Sequence, residues 1–327
     1  MLKHGSFVIS LDFEMMWGCH DWSTTDEYGR TNVRQVRQVI SRLLTLFDKY
    51  DVNATFATVG LILCKDKMDA LNSLPKKKPS YSNPNLSPYK HGYINEIKTD
   101  DEPLYFAPDI IEELRKNPHV EIGTHTFSHY FCWAKGQSLE EFKADLSQMR
   151  QKSAENDLIL KSIVFPKNEI SEPYIDICRE LGITSYRGNA KKYYNLPKGK
   201  VDGYKHKICR FADAYLNIGG YTSINYSEID PQTTPMNVRA SRFLRPYSPI
   251  LSSLEKIRLR RIKKELLHAA KEKELYHLWW HPHNFGANMD ENLHFVEEIF
   301  KCYQHCKEIY GMKSYTMSGF VSDFISN

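Results

Sequence analysis

Two carboxylates stand where an apolar run stops. FVISLDFEMMWG, residues 7 to 18, carries Asp12 and Glu14. Side chains two apart in an extended segment point the same way, so one carboxylate could bind a metal ion while the other takes a proton from an attacking water. The competing reading is a helix cap or a partner for basic side chains. GTHTFSH puts His125 and His129 four apart, and on one helical turn both rings would converge on a single ion. With 13 histidines in 327 residues, chance supplies about half such a pair, and His277 and His281 form a second one. Position says more than spacing, because HTFSH follows a strand-like VEIGT much as the carboxylates follow FVISL. Two imidazoles, one carboxylate and an open position make a common catalytic zinc-type set. In YHLWWHPHNFG, a strand would put His277, Trp279, His281 and His283 on one face and Leu278 and Trp280 on the other. A histidine at such an end titrates near neutrality and suits general acid work, the alternative being a hydrogen-bonded core imidazole.

Short apolar or β-branched runs predict the strands that position these residues: FVISL at 7, NATFATV at 53, VEIGT at 120, KSIVF at 161, GITSY at 182 and YHLWW at 276. Helices are predicted between them. TNVRQVRQVISRLLTLFDKY keeps the i, i+3, i+4, i+7 apolar spacing, APDIIEELRKN has proline in a first turn, and SLEEFKADLSQMR opens on a capping-box spacing. Further helices are expected over 172 to 181, 252 to 273 and 290 to 310. The alternation predicts a mainly parallel α/β sheet, open or closed into a barrel. Most of the strands end in polar residues: Asp12 and Glu14, His125 and His129, Lys167 and Asn168, Arg187, His281 and His283. In a parallel sheet those ends share one edge, where such folds place their active sites. Trp17, Lys167, Asn168, His283 and Asn284 are expected to line the substrate there.

The chain of 327 residues, 41% hydrophobic and 26% charged, has apolar mass for one large domain spanning 1 to 327. Residues 65 to 105, rich in Pro, Asn, Ser and Lys, are expected to form a long insertion, either a lid or a mobile loop, and 288 to 327 a C-terminal helical region. A net charge of +4 is too small to indicate nucleic-acid binding by the whole protein. Seven scattered cysteines without a CxxC pair, and a strand that begins almost at once, lead us to expect reduced thiols and a cytoplasmic location. Two basic segments, KKYYNLPKGKVDGYKHK at 191 and KIRLRRIKKELLHAAKEK at 256, could meet phosphates or the inner face of a membrane, although for the second a solvated helix face is the simpler reading.

SLDFE, NATFATVG, HTFSH and a late WWHPH, in that order over residues 7 to about 286, resemble the polysaccharide deacetylase (NodB-like) family. The resemblance implies a distorted (β/α) barrel and a divalent ion, zinc first, with cobalt or nickel as alternatives. It implies Asp12 as catalytic base, Glu14, His125 and His129 as metal ligands, and His281 as general acid. The chain departs from the pattern twice. Glu14 stands where the family usually has Asp, and VFPKNE lacks the family's Arg-Pro motif, which would orient the base, so Arg187 in SYRGN is the expected substitute. The implied reaction is hydrolysis of an N-acyl group, acetyl or formyl, on a nucleotide-linked, lipid-linked or glycan-bound sugar during surface-polysaccharide synthesis. Two rivals stand beside it: a glycan-binding barrel that has lost turnover, and an amidohydrolase acting on small non-sugar amides. The five tryptophans, Trp17, Trp22, Trp133, Trp279 and Trp280, suit sugar stacking or core packing alike.

Overall fold

All eight residues of Ser6–Phe13 (β1) are buried, because the strand is covered on both faces and paired on both edges. The computed structural model describes residues 2–89, 93–191, 209 and 211–327. Along β1 the side chains alternate. Phe7, Ile9, Leu11 and Phe13 pack into the main core beneath the outer helices, while Val8 faces a second apolar cluster inside the curled sheet.

The remaining strands are Ala54–Thr58 (β2), Val120–Thr124 (β3), Ser162–Ile163 (β4), Ser185–Tyr186 (β5), Met236–Asn237 (β6), Arg242–Phe243 (β7), Leu275–Trp280 (β8) and Lys313–Tyr315 (β9). Their order is β6-β5-β4-β3-β2-β1-β8-β7, and every pairing is parallel. β9 adds along Ser6–Val8, on β1 below the stretch Ser10–Phe13 that pairs with β2. The edge strands β6 and β7 are joined by residues 238–241 alone. In that link the Val238, Ala240 and Ser241 N–H groups donate to the Tyr186, Gly188 and His277 carbonyls, spanning from one end of the sheet to the other. So short a link requires the two edges to face each other, and the sheet is the distorted (β/α) barrel expected. Its floor is apolar, formed by Val8, Ala57, Val164, Met236 and Val238 over Phe320 and Phe324 of the helix Met317–Ser326.

The helices follow the sequence pattern closely. Val36–Tyr50 buries Val36, Val39, Ile40, Leu43, Leu44 and Phe47 along one stripe, and Leu139–Ala154 opens with the Ser138–Glu141 capping box. Glu172–Glu180, Glu255–Glu272 and Met289–Tyr310 fill the other predicted spans. Three strands were not anticipated. β6, β7 and β9 are two or three residues long, too short for a period to show. Beyond 288 the chain is not wholly helical, since β9 lies between two helices.

The segment 65 to 105 departs from the expectation of a lid or mobile loop. Its described residues form short helices, Lys67–Asn72 and Tyr93–Glu96 among them, and Tyr81, Ile94, Ile97, Leu104 and Tyr105 are buried in the core. The Tyr81 hydroxyl accepts from the Phe131 N–H at 2.9 Å. Aromatic anchors spaced through a Pro- and Lys-rich stretch fasten it to the loop that carries His129. Of the basic stretch at 191–207, every residue after Lys191 lies outside the described residues.

Candidate active site

β1 ends at Phe13, and Glu14 then turns into a 3-10 helix, Met15–Gly18, that begins on a left-handed Met15 (φ 51°). Asp12 and Glu14 thus leave different backbone conformations yet converge. His281 Nε2 is 3.7 Å from Asp12 Oδ2 and 3.6 Å from Glu14 Oε1. Glu14 folds back over Gly18, where an added Cβ would lie 2.0 Å from Oε2 and 2.7 Å from the Glu14 Cβ. The longer carboxylate therefore has its room at Gly18. Gly18→Ala is expected to push Glu14 off its position and weaken metal binding by about one to two orders of magnitude, the scale of other mutations that disturb ligand orientation. Titration of the purified variant with zinc checks this, and unchanged affinity would remove Gly18 from the argument.

HTFSH is a loop here, not a helical turn. Thr126 and His129 both take positive φ, 64° and 58°, conformations costly for non-glycine residues and maintained only by a well-bonded surround. That surround is Asp145, buried on the helix Leu139–Ala154. Its Oδ1 accepts from the Phe127 N–H at 2.7 Å, and its Oδ2 accepts from the Ser128 hydroxyl. Burial pushes the Asp145 carboxyl up to about 6 against these hydrogen bonds. Sequence reading missed this residue. The available signal was an acid inside the apolar stripe Phe142, Asp145, Leu146, Met149.

His125 Nδ1 lies 2.7 Å from the Val164 carbonyl, which can only accept, so Nδ1 carries a proton and Nε2 is turned toward Glu14 Oε1 at 3.0 Å. His129 Nε2 reaches the same oxygen at 3.3 Å, and its buried Nδ1 has no hydrogen-bond partner. Two acceptors face to face require a cation or a proton between them. The separations also suit ligands about 2.1 Å from one ion at a tetrahedral angle. Burial holds His129 down at about 4 despite Glu14. For Glu14, burial acts upward but is outweighed by His281 and by the hydrogen bonds of His125 and His129, so its carboxyl lies well below the usual range. The donor set fits a divalent ion held by Glu14, His125 and His129.

Arg187, just beyond β5, is fully buried and forks onto Asp12, with NH1 to Oδ1 at 2.6 Å and NH2 to Oδ2 at 2.8 Å. Its guanidinium thus engages both Asp12 carboxylate oxygens. Asn168 Oδ1 accepts from NH2 at 2.9 Å, and the guanidinium lies 4.0 Å over the Trp279 ring. From below, NH1 donates to Ser10 Oγ at 3.0 Å, Ser10 to His277 Nε2 at 2.8 Å, and His277 Nδ1 to the Val238 carbonyl at 2.9 Å. His277 is thus the hydrogen-bonded core imidazole. Burial would raise the Asp12 carboxyl, but Arg187, His125 and His281 together hold it below its ordinary value.

Asn284 Nδ2 sits 3.3 Å from His281 Nδ1 while its Oδ1 accepts from the Tyr28 hydroxyl at 2.8 Å. An amide N–H aimed at Nδ1 leaves the ring proton on Nε2, facing Asp12 and Glu14. Asn168 and Asn284, expected as substrate contacts, also bond to Arg187 and His281. Trp17 is corrected outright: it is fully buried, donates from Nε1 to the Tyr105 carbonyl at 2.8 Å, and packs against Tyr93, Tyr105 and Phe106. Lys167 lies at the rim, with Nζ 2.6 Å from Asp21 Oδ2. His283 is buried, 4.0 Å from Glu14 Oε2, and pushed down to about 3 chiefly by burial.

No curated protein sequence matches the chain. Among solved structures, a protein from Mycobacterium smegmatis described as a candidate polysaccharide deacetylase aligns at 13% identity over 99% of this chain and 92% of its own, with a TM-score of 0.56, which is a likeness of fold. The chitin deacetylase of Colletotrichum lindemuthianum aligns at 11% identity over 99% and 89%, TM-score 0.47, and a CE4 family pseudoenzyme from Bacillus anthracis at 11% over 98% and 65%, TM-score 0.43. The family model for polysaccharide deacetylase matches residues 19–186, more than half of the chain and including His125 and His129, while Asp12, Glu14, Arg187 and His281 lie outside the match. The chain belongs to the polysaccharide deacetylase family.

Proposed function

We propose that this protein is a metal-dependent hydrolase that removes an N-acyl group, acetyl or formyl, from a sugar or sugar-linked intermediate of surface-polysaccharide synthesis. The observation that carries the reading is the clustering of Asp12 and His281 beside Glu14, the carboxylate shared with His125 and His129. A divalent ion there, zinc being best suited to two imidazoles and a carboxylate, would polarise the acyl carbonyl and ease deprotonation of water. Asp12, kept ionised by Arg187, accepts the proton of the attacking water. His281, with its Nε2 proton directed inward by Asn284, delivers a proton to the departing amine. Burial of Asp12, Glu14, His125 and His129 excludes bulk water and strengthens each of these interactions.

The test is acid release from N-acetyl and N-formyl sugars, free, nucleotide-linked and lipid-linked, by the metal-loaded wild type beside Asp12→Asn. We expect release with at least one acyl sugar, reduced about two orders of magnitude or more in the variant. Equal release by both would remove Asp12 from the mechanism. Tight sugar binding without release would instead establish the glycan-binding barrel, and release from a small non-sugar amide alone would establish the amidohydrolase.

A further inference from the structure

The helix Glu255–Glu272 presents one face to solvent with a charge of single sign. Lys256, Arg260 and Lys264 follow one another at four-residue intervals, Lys271 continues the same face, and all four are exposed. Like charges at that spacing destabilise a helix unless something opposes them. The helix's own acids are used elsewhere. Glu255 pairs with Arg258, and Glu265 is buried against Arg242 and Arg261, leaving only Glu272 exposed at the far end. No described carboxylate comes within ion-pair reach of Lys256, Arg260 or Lys264, and Lys271 meets only the Tyr310 ring, at 5.8 Å.

Apolar side chains border the cations where a soluble surface would carry polar ones. Ile257 lies on the same face and is 39% exposed, and Ile250, in the turn Pro249–Leu254 that leads into the helix, is 92% exposed. Along the helix flank runs the segment that holds Leu216, Ile218 and Tyr221, exposed by 58%, 52% and 42%. It is fastened there by stacking of Tyr221 on His268 at 4.1 Å and by Arg261 NH2 donating to the Gly220 carbonyl at 2.9 Å. Near the helix start, Arg258 donates to the Arg245 carbonyl, and Arg245, Arg258, Leu251 and Phe243 line a cavity of about 370 Å³. The Phe243 ring centroid is 5.7 Å from that of His281. Phe243 thus borders both this cavity and the His281 ring.

We propose that this face docks on an anionic lipid bilayer: the cations meet lipid phosphates, and Ile250, Ile257, Leu216 and Ile218 enter the headgroup layer. Charge complementarity chooses the occupant, since exposed aliphatic side chains interleaved with unpaired cations match a surface that is anionic outside and apolar just beneath. No described helix is long and apolar enough to cross a membrane, so this contact would lie in the interface. Docking does not depend on the deacylase reading.

The test is co-sedimentation of the full chain with phosphatidylcholine vesicles, with and without about 30% phosphatidylglycerol. The wild type is compared with Lys256→Glu/Arg260→Glu/Lys264→Glu and with a control reversal of three exposed lysines in the insertion, Lys65→Glu/Lys76→Glu/Lys98→Glu. We expect binding to the anionic vesicles only, weakened at least about a hundredfold by the first triple and less than about tenfold by the control. A doubled variant, Ile250→Ser/Ile257→Ser, should weaken binding without altering its salt dependence. Equal binding to neutral vesicles, equal losses in the two triples, release by millimolar inorganic phosphate, or stronger capture of single-stranded RNA through the same three cations would each overturn the proposal. Acid release from a soluble substrate reads out the active site separately, so failure of one reading is distinguishable from failure of the other.

Discussion

Arg187→Ala is expected to lower turnover by about two to three orders of magnitude and to destabilise the fold by about 3–5 kcal/mol, because it removes one partner of a fully buried ion pair. The carboxylate left behind, Asp12, is 2% exposed and would keep only distant imidazoles for company. The sign of the pH effect follows. In the wild type the folded Asp12 carboxyl lies below its ordinary value, so its contribution to stability is present above the unfolded pKa and is lost as pH falls through the folded one. Without Arg187, burial acts upward with its main opponent gone. The folded carboxyl then titrates above its unfolded value, and the contribution is retained at low pH and lost as pH rises. The acid limb of the rate profile should move to higher pH, and the optimum for thermal stability should move to lower pH. Arg187→Lys should recover part of the stability but little of the rate, since an ammonium cannot hold both carboxylate oxygens and Asn168 in one plane. Kinetics and melting curves between about pH 4 and 9 check this, over the span where carboxylates and imidazoles titrate. An unshifted acid limb would mean that Arg187 is structural only.

His125→Ala/His129→Ala should reduce bound metal in the freshly purified protein from about one equivalent to less than a tenth, because only Glu14 of the three-ligand set remains. Acid release should fall with it to background. Stability should fall as well, because without the ion a proton between His125 Nε2 and Glu14 Oε1 at 3.0 Å holds the buried contact, and losing the two rings removes that hydrogen bond together with their packing. The double variant is therefore expected to melt below the metal-free wild type and further below the metal-loaded one. Full occupancy in the variant would place the ion elsewhere. A wild type that cannot be loaded with zinc, cobalt or nickel would turn the site into a relic and favour the glycan-binding barrel.

Local pattern carried much of this protein. The apolar run FVISL, the helical stripe of Val36–Tyr50 and the Ser138–Glu141 box are local properties, and each appears in the fold as the residues predict. The strand-end rule placed Asp12, His125, Lys167, Arg187 and His281 at one end of the barrel, because a parallel sheet leaves its members no other arrangement. Partner choice was another matter. Arg187 meets Asp12 across 175 residues, and Asp145 props a loop from a helix that follows it, through contacts that exist only once the sheet has curled. The 65 to 105 segment read as loose from its composition, yet a few buried aromatic side chains anchor it. Trp17 carried no local mark separating a stacking platform from a core residue. Backbone periodicity, which sets side-chain direction, was enough to name the side chains that share the mouth of the barrel. Which of them touch could be read from the fold alone, because burial and hydrogen bonding between distant segments depend on closure of the sheet.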